Sequence, residues 1–311
     1  MIKTYQGAMQ EQIANVKDES VTLLLTDPPY NISEKGVNPE WIKTDKVTGE
    51  RVNVNGIHNQ KFDDDFDDNW DSVTHEDFLK QLDEWSKLWF QKMKKGGAFA
   101  VFISDQYISY LWKIMEANGF EPKRIITWKK PAAVPFNRKV NPVSGCEFIL
   151  WGIKPKGKRT FNSGTDFGTI VDRYAVADKI SSIVYRNVKD NIGTKSLDDI
   201  MREAKKEAEK MLDNRKIVDG KIQAVIPNTI TFSGGGGNKI HPTQKPVELL
   251  QYFVELLTNP GDLVLDTFAG SGSTGKACLA SERNCILIEK DKKMYDKMSN
   301  QFNLLDNALF E

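Results

Sequence analysis

The stretch Val21-Thr22-Leu23-Leu24-Leu25-Thr26-Asp27-Pro28-Pro29-Tyr30 sets an apolar run directly against an acid, two prolines and an aromatic ring. A short leucine-rich, β-branched run closed by prolines is the pattern of a strand covered on both faces in a parallel sheet. Asp27 then emerges at the carboxyl edge of that sheet. Pro28 and Pro29 have a fixed φ and no N–H, so the turn offers bare carbonyl oxygens on a stiff backbone. Further along, Ala98 to Ile103, Arg124 to Trp128 and Glu147 to Trp151 read as strands, with helices over Phe78 to Lys94 and Tyr107 to Asn118 between them. Strands alternating with helices imply an α/β chain built on a Rossmann-like, doubly wound, mostly parallel sheet.

The chemistry of the turn follows from its acceptors. The Asp27 carboxylate and the Pro28 carbonyl lie close together, which suits an exocyclic amino group with its two N–H donors. Held by both, the nitrogen lone pair leaves conjugation with its ring and can attack a methyl sulfonium. Tyr30 offers a flat face on which an extruded base can stack, worth roughly 1–3 kcal/mol. Taken alone, these four residues fit an ordinary strand ending in a Pro-Pro turn equally well.

A second motif lies far downstream. Asp262 to Asp266 reads as another buried strand and runs into Thr267-Phe268-Ala269-Gly270-Ser271-Gly272-Ser273-Thr274-Gly275. That is a strand, a glycine turn and a helix start, which together let backbone approach a ligand and present free N–H groups. The next strand, Asn284 to Ile288, ends in Glu289, about 20 residues beyond the glycines, where an acid can accept from both hydroxyls of a ribose. On its own a glycine turn after a strand is a weak signal, shared by many nucleotide folds.

On these residues the chain resembles the S-adenosylmethionine-dependent amino-methyltransferases of DNA, in the subgroup whose catalytic motif precedes the cofactor motif. Asp27-Pro28-Pro29-Tyr30 matches the catalytic motif, Asp266 to Gly272 the cofactor loop, and Glu289 with Tyr295 the acidic strand end and the helix after it. His241-Pro242-Thr243-Gln244-Lys245-Pro246 matches a third block, followed by a helix over Val247 to Leu257. The resemblance implies a class I methyltransferase fold with an inserted target-recognition region. It assigns catalysis to Asp27, Pro28, Pro29 and Tyr30. Cofactor contacts fall to Asp266, Phe268, Ala269, Gly270, Ser271, Gly272, Thr274 and Glu289, with Thr243 and Lys245 near the methionine carboxylate. His241 reads better as a turn residue at a helix start than as an acid or base. The implied reaction is methylation of N6 of a flipped adenine in duplex DNA. Cytosine N4 is the alternative, disfavoured because serine more often replaces the aspartate in cytosine enzymes, and a catalytically vestigial DNA-binding protein is the alternative from another class. A homodimer is expected from the resemblance, and a cognate restriction endonuclease is a candidate partner.

Along the chain this divides into a catalytic half over 1–153, a target-recognition region over 154–237 and a cofactor-binding half over 238–311. The segment Asn31 to Trp70 is polar, shows no periodicity and reads as a mobile flap or a surface insertion. A helix is expected over Leu197 to Leu212 in the recognition region. Its base-reading candidates include Arg173, Arg186, Asn187 and Lys195.

The 43 basic and 43 acidic residues cancel, but unevenly. From Glu121 to Thr160 there are ten lysines and arginines against two acids, a track in which Lys129, Lys130, Arg138 and Lys139 are candidate phosphate contacts and Trp128, Phe136 and Trp151 are interleaved rings. The acidic run Asp63 to Asp68 lacks calcium-loop spacing and no metal site is expected. Cys146, Cys278 and Cys285 read as reduced core thiols, which disfavours covalent catalysis by cysteine. No run of about 18 apolar residues appears, and Met1 to Gln10 has no apolar signal core, so no membrane partner and a cytoplasmic location are the expectation.

Overall fold

Two parallel strands that are 240 residues apart in sequence, β2 (Val21–Thr26) and β11 (Leu263–Asp266), lie side by side at the centre of the sheet, Leu23 opposite Val264 and Leu24 opposite Leu265. The computed structural model describes residues 1–31, 42–44, 51–53, 73–130, 145–162, 196, 199, 202–203, 217–218, 221–222, 228–232 and 245–308. Around the central pair are β1 (Ile2–Gln6), β5 (Met93–Ile103), β6 (Glu121–Lys129), β7 (Cys146–Ile153), β10 (Thr229–Thr231) and β12 (Asn284–Glu289), in the order β1-β12-β11-β2-β5-β7-β6-β10. Every neighbouring pair is parallel except those of β7, which runs antiparallel to both β5 and β6. The first residues of β7 therefore reach the edge at which β2, β5 and β6 end.

The sheet is covered on both faces, as its near-continuous apolar strands require. Leu23, Leu25, Ala98, Ala100 and Phe102 face one core with α4 (Val247–Leu257), α5 (Ser273–Ala280) and α6 (Lys292–Ala308). Leu24, Phe99, Val101 and Ile103 alternate onto the other, against α2 (His75–Lys92) and α3 (Ile108–Ala117). In α2 the buried Phe78, Leu82, Trp85 and Trp89 form one stripe at helical spacing. Thr74 caps it, accepting from the Asp77 N–H and donating to the Asp77 carboxylate. In α4 eight residues are buried, including Leu249, Leu250, Phe253 and Leu257, and each fully buried large side chain contributes about 1.5–3 kcal/mol.

Several expectations need correction. The helix expected to reach Lys94 ends at Lys92, and β5 begins at Met93, five residues before its apolar core at Ala98. Lys154 holds this junction. It is buried, donates to the Phe90 and Met93 carbonyls at 2.8 Å each and lies over the Phe90 ring, so the helix-end carbonyls take a cation that the sequence had placed in a phosphate track. Trp128 is likewise a core residue bonded to the Phe232 carbonyl, and Trp151 packs on Phe161. Two strands of the main sheet escaped the sequence reading. One is β1, a half-buried edge strand, and the other is β10, three residues long within the 154–237 segment yet paired with β6. The span read as aperiodic after Tyr30 contains an antiparallel pair, β3 (Ile42–Thr44) with β4 (Arg51–Asn53). A second short pair joins β8 (Ile217–Val218) to β9 (Lys221–Ile222). Of the helix expected over Leu197 to Leu212, Asp199, Arg202 and Glu203 are helical and the remainder lies outside the described residues. Cys278 and Cys285 are buried, Cys146 is half-buried, and none of the three is in a disulfide.

Glycine close packing sets the position of α5 against α6. A Cβ built on Gly275 would lie 2.5 Å from the Phe302 ring and 2.8 Å from Leu287. Gly275→Ala is expected to lower unfolding free energy by about 1–3 kcal/mol, through overpacking. Urea denaturation checks it, and an unchanged midpoint would mean that the Phe302 ring yields.

Candidate active site

The crevice lies where chain direction diverges, since β2 leads on to β5 on one side and β11 to β12 on the other. Ligands of open α/β sheets bind at such a point, outside the carboxyl ends of the strands. Here the two ends are joined by buried hydrogen bonds. The Thr26 hydroxyl donates to Asp266 Oδ1 at 2.8 Å, the Thr274 hydroxyl donates to Oδ2 at 2.6 Å, and the Phe268 N–H donates to Oδ1 at 3.1 Å. Thr267 lies beside Thr26 and accepts from the Trp89 indole. The Asp266 carboxylate is thus turned into the protein, where it fixes the loop. Its burial pushes the carboxyl up to about 6, against the hydrogen bonds that favour the charged form.

The glycine turn after β11 has two unlike glycines. Gly272, with φ +78, precedes α5, and a Cβ there would meet Met298 at 2.8 Å, so its bareness serves helix packing. Gly270, with φ +51, has nothing within 4 Å of the same position and faces open space. Beside it, Glu289 at the end of β12 accepts from the Gly270 N–H at 2.7 Å through Oε2 and from the Asp291 N–H at 2.8 Å through Oε1. Burial raises the Glu289 carboxyl, although these backbone bonds act the other way. Phe268 packs on Trp85 with ring centres 4.8 Å apart, while Ala269, Ser271 and Thr274 are buried in the turn and the start of α5.

Across the crevice, the proline turn carries a chain of charges. Asp27 Oδ1 accepts from the Tyr30 hydroxyl at 2.6 Å, and Oδ2 pairs with Lys245 at 2.5 Å. Lys245 is 8% exposed and lies 3.3 Å from Glu147 Oε2, while Glu147 Oε1 pairs with Lys130 at 2.6 Å. The Lys245 ammonium also sits over the Tyr30 and Phe102 rings, at 5.4 and 5.2 Å. Burial alone would lower the Lys245 ammonium, but Asp27 and Glu147 beside it carry it above the ordinary lysine value. Burial alone would likewise raise the Glu147 carboxyl, and Lys245 and Lys130 carry it below.

The structure therefore brings together Asp27, Tyr30, Lys245 and Lys130 on one side and Asp266, Gly270 and Glu289 on the other. Lys245, expected near a methionine carboxylate, is bonded here to Asp27. Lys130 is engaged by Glu147, and its neighbour Lys129 is exposed at the same edge. Thr243, His241, Arg138, Lys139, Phe136, Arg173, Arg186, Asn187 and Lys195 lie outside the described residues. Glu147 was missed by sequence reasoning. Its signal was present, a single acid at the start of the apolar run Cys146–Ile153, and the antiparallel direction of β7 places it at the crevice. Asn31 was missed too. Buried and in the left-handed region at φ +52, it donates to the Tyr107 hydroxyl and accepts from the Val73 N–H, bonding the last residue of the proline turn to the approach to α2. A separate cleft of about 400 Å³, lined by Arg124, Ile126, Trp151, Phe161, Tyr252 and neighbours, contains none of the predicted catalytic or cofactor residues. Among the described residues no helix is long and apolar enough to cross a membrane, and no acidic, histidine or cysteine cluster could hold a metal ion.

Comparison with known proteins gives a consistent result. Residues 21–301 match the family described as DNA methylase. The chain is 25% identical over 304 residues to the type II methyltransferase M.HpaI of Haemophilus parainfluenzae, covering 95% of this chain and 73% of that protein. It is 25% identical over 308 residues to M2.MboI of Moraxella bovis, covering 98% and 89%. Among solved structures, M1.HpyAVI in complex with SAM superposes with a TM-score of 0.57 at 25% identity, covering 97% of this chain and all of that one. The cytosine-N4-specific PvuII DNA methyltransferase gives 0.57 at 17% identity, covering 96% and 85%, and shares the fold.

The buried Asp266 carboxyl has a stability consequence. Its value is raised from 3.8 to about 6 on folding, so its contribution is fully present below about pH 4 and is lost as pH rises through about 6. The loss amounts to about 3 kcal/mol at 1.36 kcal/mol per unit. Asp266→Asn lacks this titration. Urea denaturation at pH 4 and pH 7 should show the stability of the variant, relative to the unsubstituted chain, improving by about that amount at the higher pH.

Proposed function

Because this chain belongs to the DNA methylase family, we propose that it transfers a methyl group from S-adenosylmethionine to the N6 amino group of an adenine turned out of duplex DNA. The family membership and the superposition on a SAM-bound DNA methyltransferase support the coarser statement, a SAM-dependent DNA methyltransferase of class I fold with helices on both faces of a mostly parallel sheet. The observation that carries the finer one is the Asp27 carboxylate, held at the crevice by Tyr30 and Lys245 opposite the Gly270 turn.

The residues at the Gly270 turn fit the cofactor. Open space in front of Gly270 admits a ligand against bare backbone, and the Glu289 carboxylate keeps lone pairs for ribose hydroxyls beyond the two N–H groups it already binds. Phe268 adds an apolar wall beside the turn, and Asp266 holds the loop from within. When bound, S-adenosylmethionine supplies an electrophilic methyl carbon, to which the amino nitrogen bonds as the carbon–sulfur electrons return to sulfur.

On the substrate side, the roles follow the proline turn. Asp27 and the Pro28 carbonyl accept hydrogen bonds from the two amino N–H groups and draw the nitrogen lone pair toward the methyl carbon, the methylated nitrogen then gives up one proton to the Asp27 carboxylate or to solvent, and Pro29 stiffens the turn. Tyr30 stacks on the base, offsetting part of the few kcal/mol that extrusion costs. Adenine is favoured over cytosine by the aspartate at position 27. The exposed Lys129 beside the crevice serves as a phosphate contact, and Arg138, Lys139, Arg173 and Arg186 extend the DNA surface in this reading. The division into a catalytic half over 1–153 and a cofactor-binding half over 238–311 around a 154–237 recognition region belongs to the same proposal, as do a homodimer and a restriction endonuclease partner.

Mass analysis of nucleosides after incubation of the chain with duplex DNA and labelled cofactor should yield N6-methyladenine. N4-methylcytosine would overturn the base assignment, and no methylated nucleoside would overturn the transferase reading. Asp27→Ala is expected to slow transfer at least about 100-fold, the scale of losing one preorganised group, with duplex affinity within about threefold by fluorescence anisotropy. Glu289→Ala should weaken cofactor binding by about tenfold or more in calorimetry, the cost of a charged hydrogen-bond acceptor.

A further inference from the structure

Both oxygens of Asp27 are occupied, one by the Tyr30 hydroxyl and the other by Lys245. Each oxygen keeps a further lone pair, but an amino group that shares the carboxylate with a buried ammonium draws on less of its charge, so the grip tightens when one of the two donors gives way. Tyr30 is the stacking ring of the reading above, and its hydroxyl is three residues from its acceptor on the same turn. Lys245 is different, because it has a second acid within reach. Glu147 Oε2 is buried and lies 3.3 Å from Lys245 Nζ, with no aligned hydrogen bond to it, while Oε1 is anchored by Lys130 at 2.6 Å.

The four groups form an alternating line, Lys130, Glu147, Lys245, Asp27, that is balanced in charge as a whole. A buried ammonium that leaves one carboxylate without reaching another is heavily penalised. A displacement of Nζ of a few tenths of an ångström brings 3.3 Å into ordinary hydrogen-bond range, so the ammonium has Glu147 to bond when the Asp27 carboxylate turns away. The two acids that flank the lysine are held through their backbone, Glu147 by the β6–β7 pairing and also by Lys130, and Asp27 by the proline turn. The movable member is the lysine.

We propose that Glu147 is a positioning residue for methyl transfer, taking up the Lys245 ammonium when the Asp27 carboxylate turns to the amino group of the base. This rests on the transfer reading above. Glu147 touches neither base nor cofactor. It acts through Lys245 by providing the second half of an exchange, so its negative charge matters to the transfer step and not to assembly of the complex.

Single-turnover transfer at saturating cofactor and DNA, measured for the unsubstituted chain, Glu147→Gln and Glu147→Asp, tests this together with the dissociation constants for cofactor and duplex. Glu147→Gln should slow transfer by about tenfold or more, within the range of coupling between contacting residues, with both dissociation constants within about threefold. Glu147→Asp keeps the charge and should recover at least about a third of the original rate. It also carries the test if the glutamine variant does not fold. A glutamine variant at full rate, a loss that appears in the dissociation constants instead of the rate, or an aspartate variant as slow as the glutamine one overturns the inference. If the unsubstituted chain methylates no nucleoside, the functional reading itself has failed and the inference falls with it.

Discussion

The crevice depends on a hydrogen-bonded knot between strands from opposite ends of the chain. Thr26 closes β2 and Asp266 closes β11, and the hydroxyl of one bonds the carboxylate of the other inside the protein. Because the strands are parallel neighbours, their last residues arrive at the same edge, and the chain leaves them in opposite directions. An unpaired acid at such depth is costly. Three donors, from Thr26, Thr274 and the Phe268 backbone, offset that cost and in doing so set the glycine turn at a fixed distance from the proline turn. A reaction between two bound partners needs that distance held more than it needs either turn alone.

Electrostatics on the two sides of the crevice are arranged differently. Among the described residues no cation pairs with Asp266 or Glu289. Neutral hydroxyls and backbone N–H groups do, and both carboxyls rise above their ordinary values. Around Asp27 two lysines and two acids alternate, and Glu147 falls while Lys245 rises. The first arrangement holds its acids with neutral donors alone. The second keeps full charges in place in a buried setting, where each depends on its neighbours.

Much of this was legible in the sequence, for identifiable reasons. Val21 to Leu25 and Asp262 to Asp266 are long enough and apolar enough to be read as buried strands, and the prolines and glycines after them mark the turns. Glu289 could be found because strand, turn and helix fix its separation from the glycines. What the sequence concealed was pairing. Lys154 looks like part of a basic track because one-dimensional charge counting does not reveal the helix end that consumes it, and Trp128 looks like an interleaved ring although it is core. Glu147 was hidden by strand direction: read as part of a mostly parallel sheet, the start of β7 belongs at the far edge, and only the reversal of that strand brings Glu147 beside Lys245.

Asn31 carries a consequence for how the chain tolerates change. Its side chain accepts from Val73, 42 residues on, and donates to Tyr107, so the residue that ends the proline turn is stitched to the entry of α2 whatever lies between. Closing a loop costs only about 0.6 kcal/mol more for each doubling of its length. Residues between Asn31 and Val73 can therefore be added or removed at small cost while the stitch keeps Pro28 to Tyr30 in register with the sheet. One asparagine in this way holds the proline turn to the start of α2 across the 42 residues that separate it from Val73 in sequence.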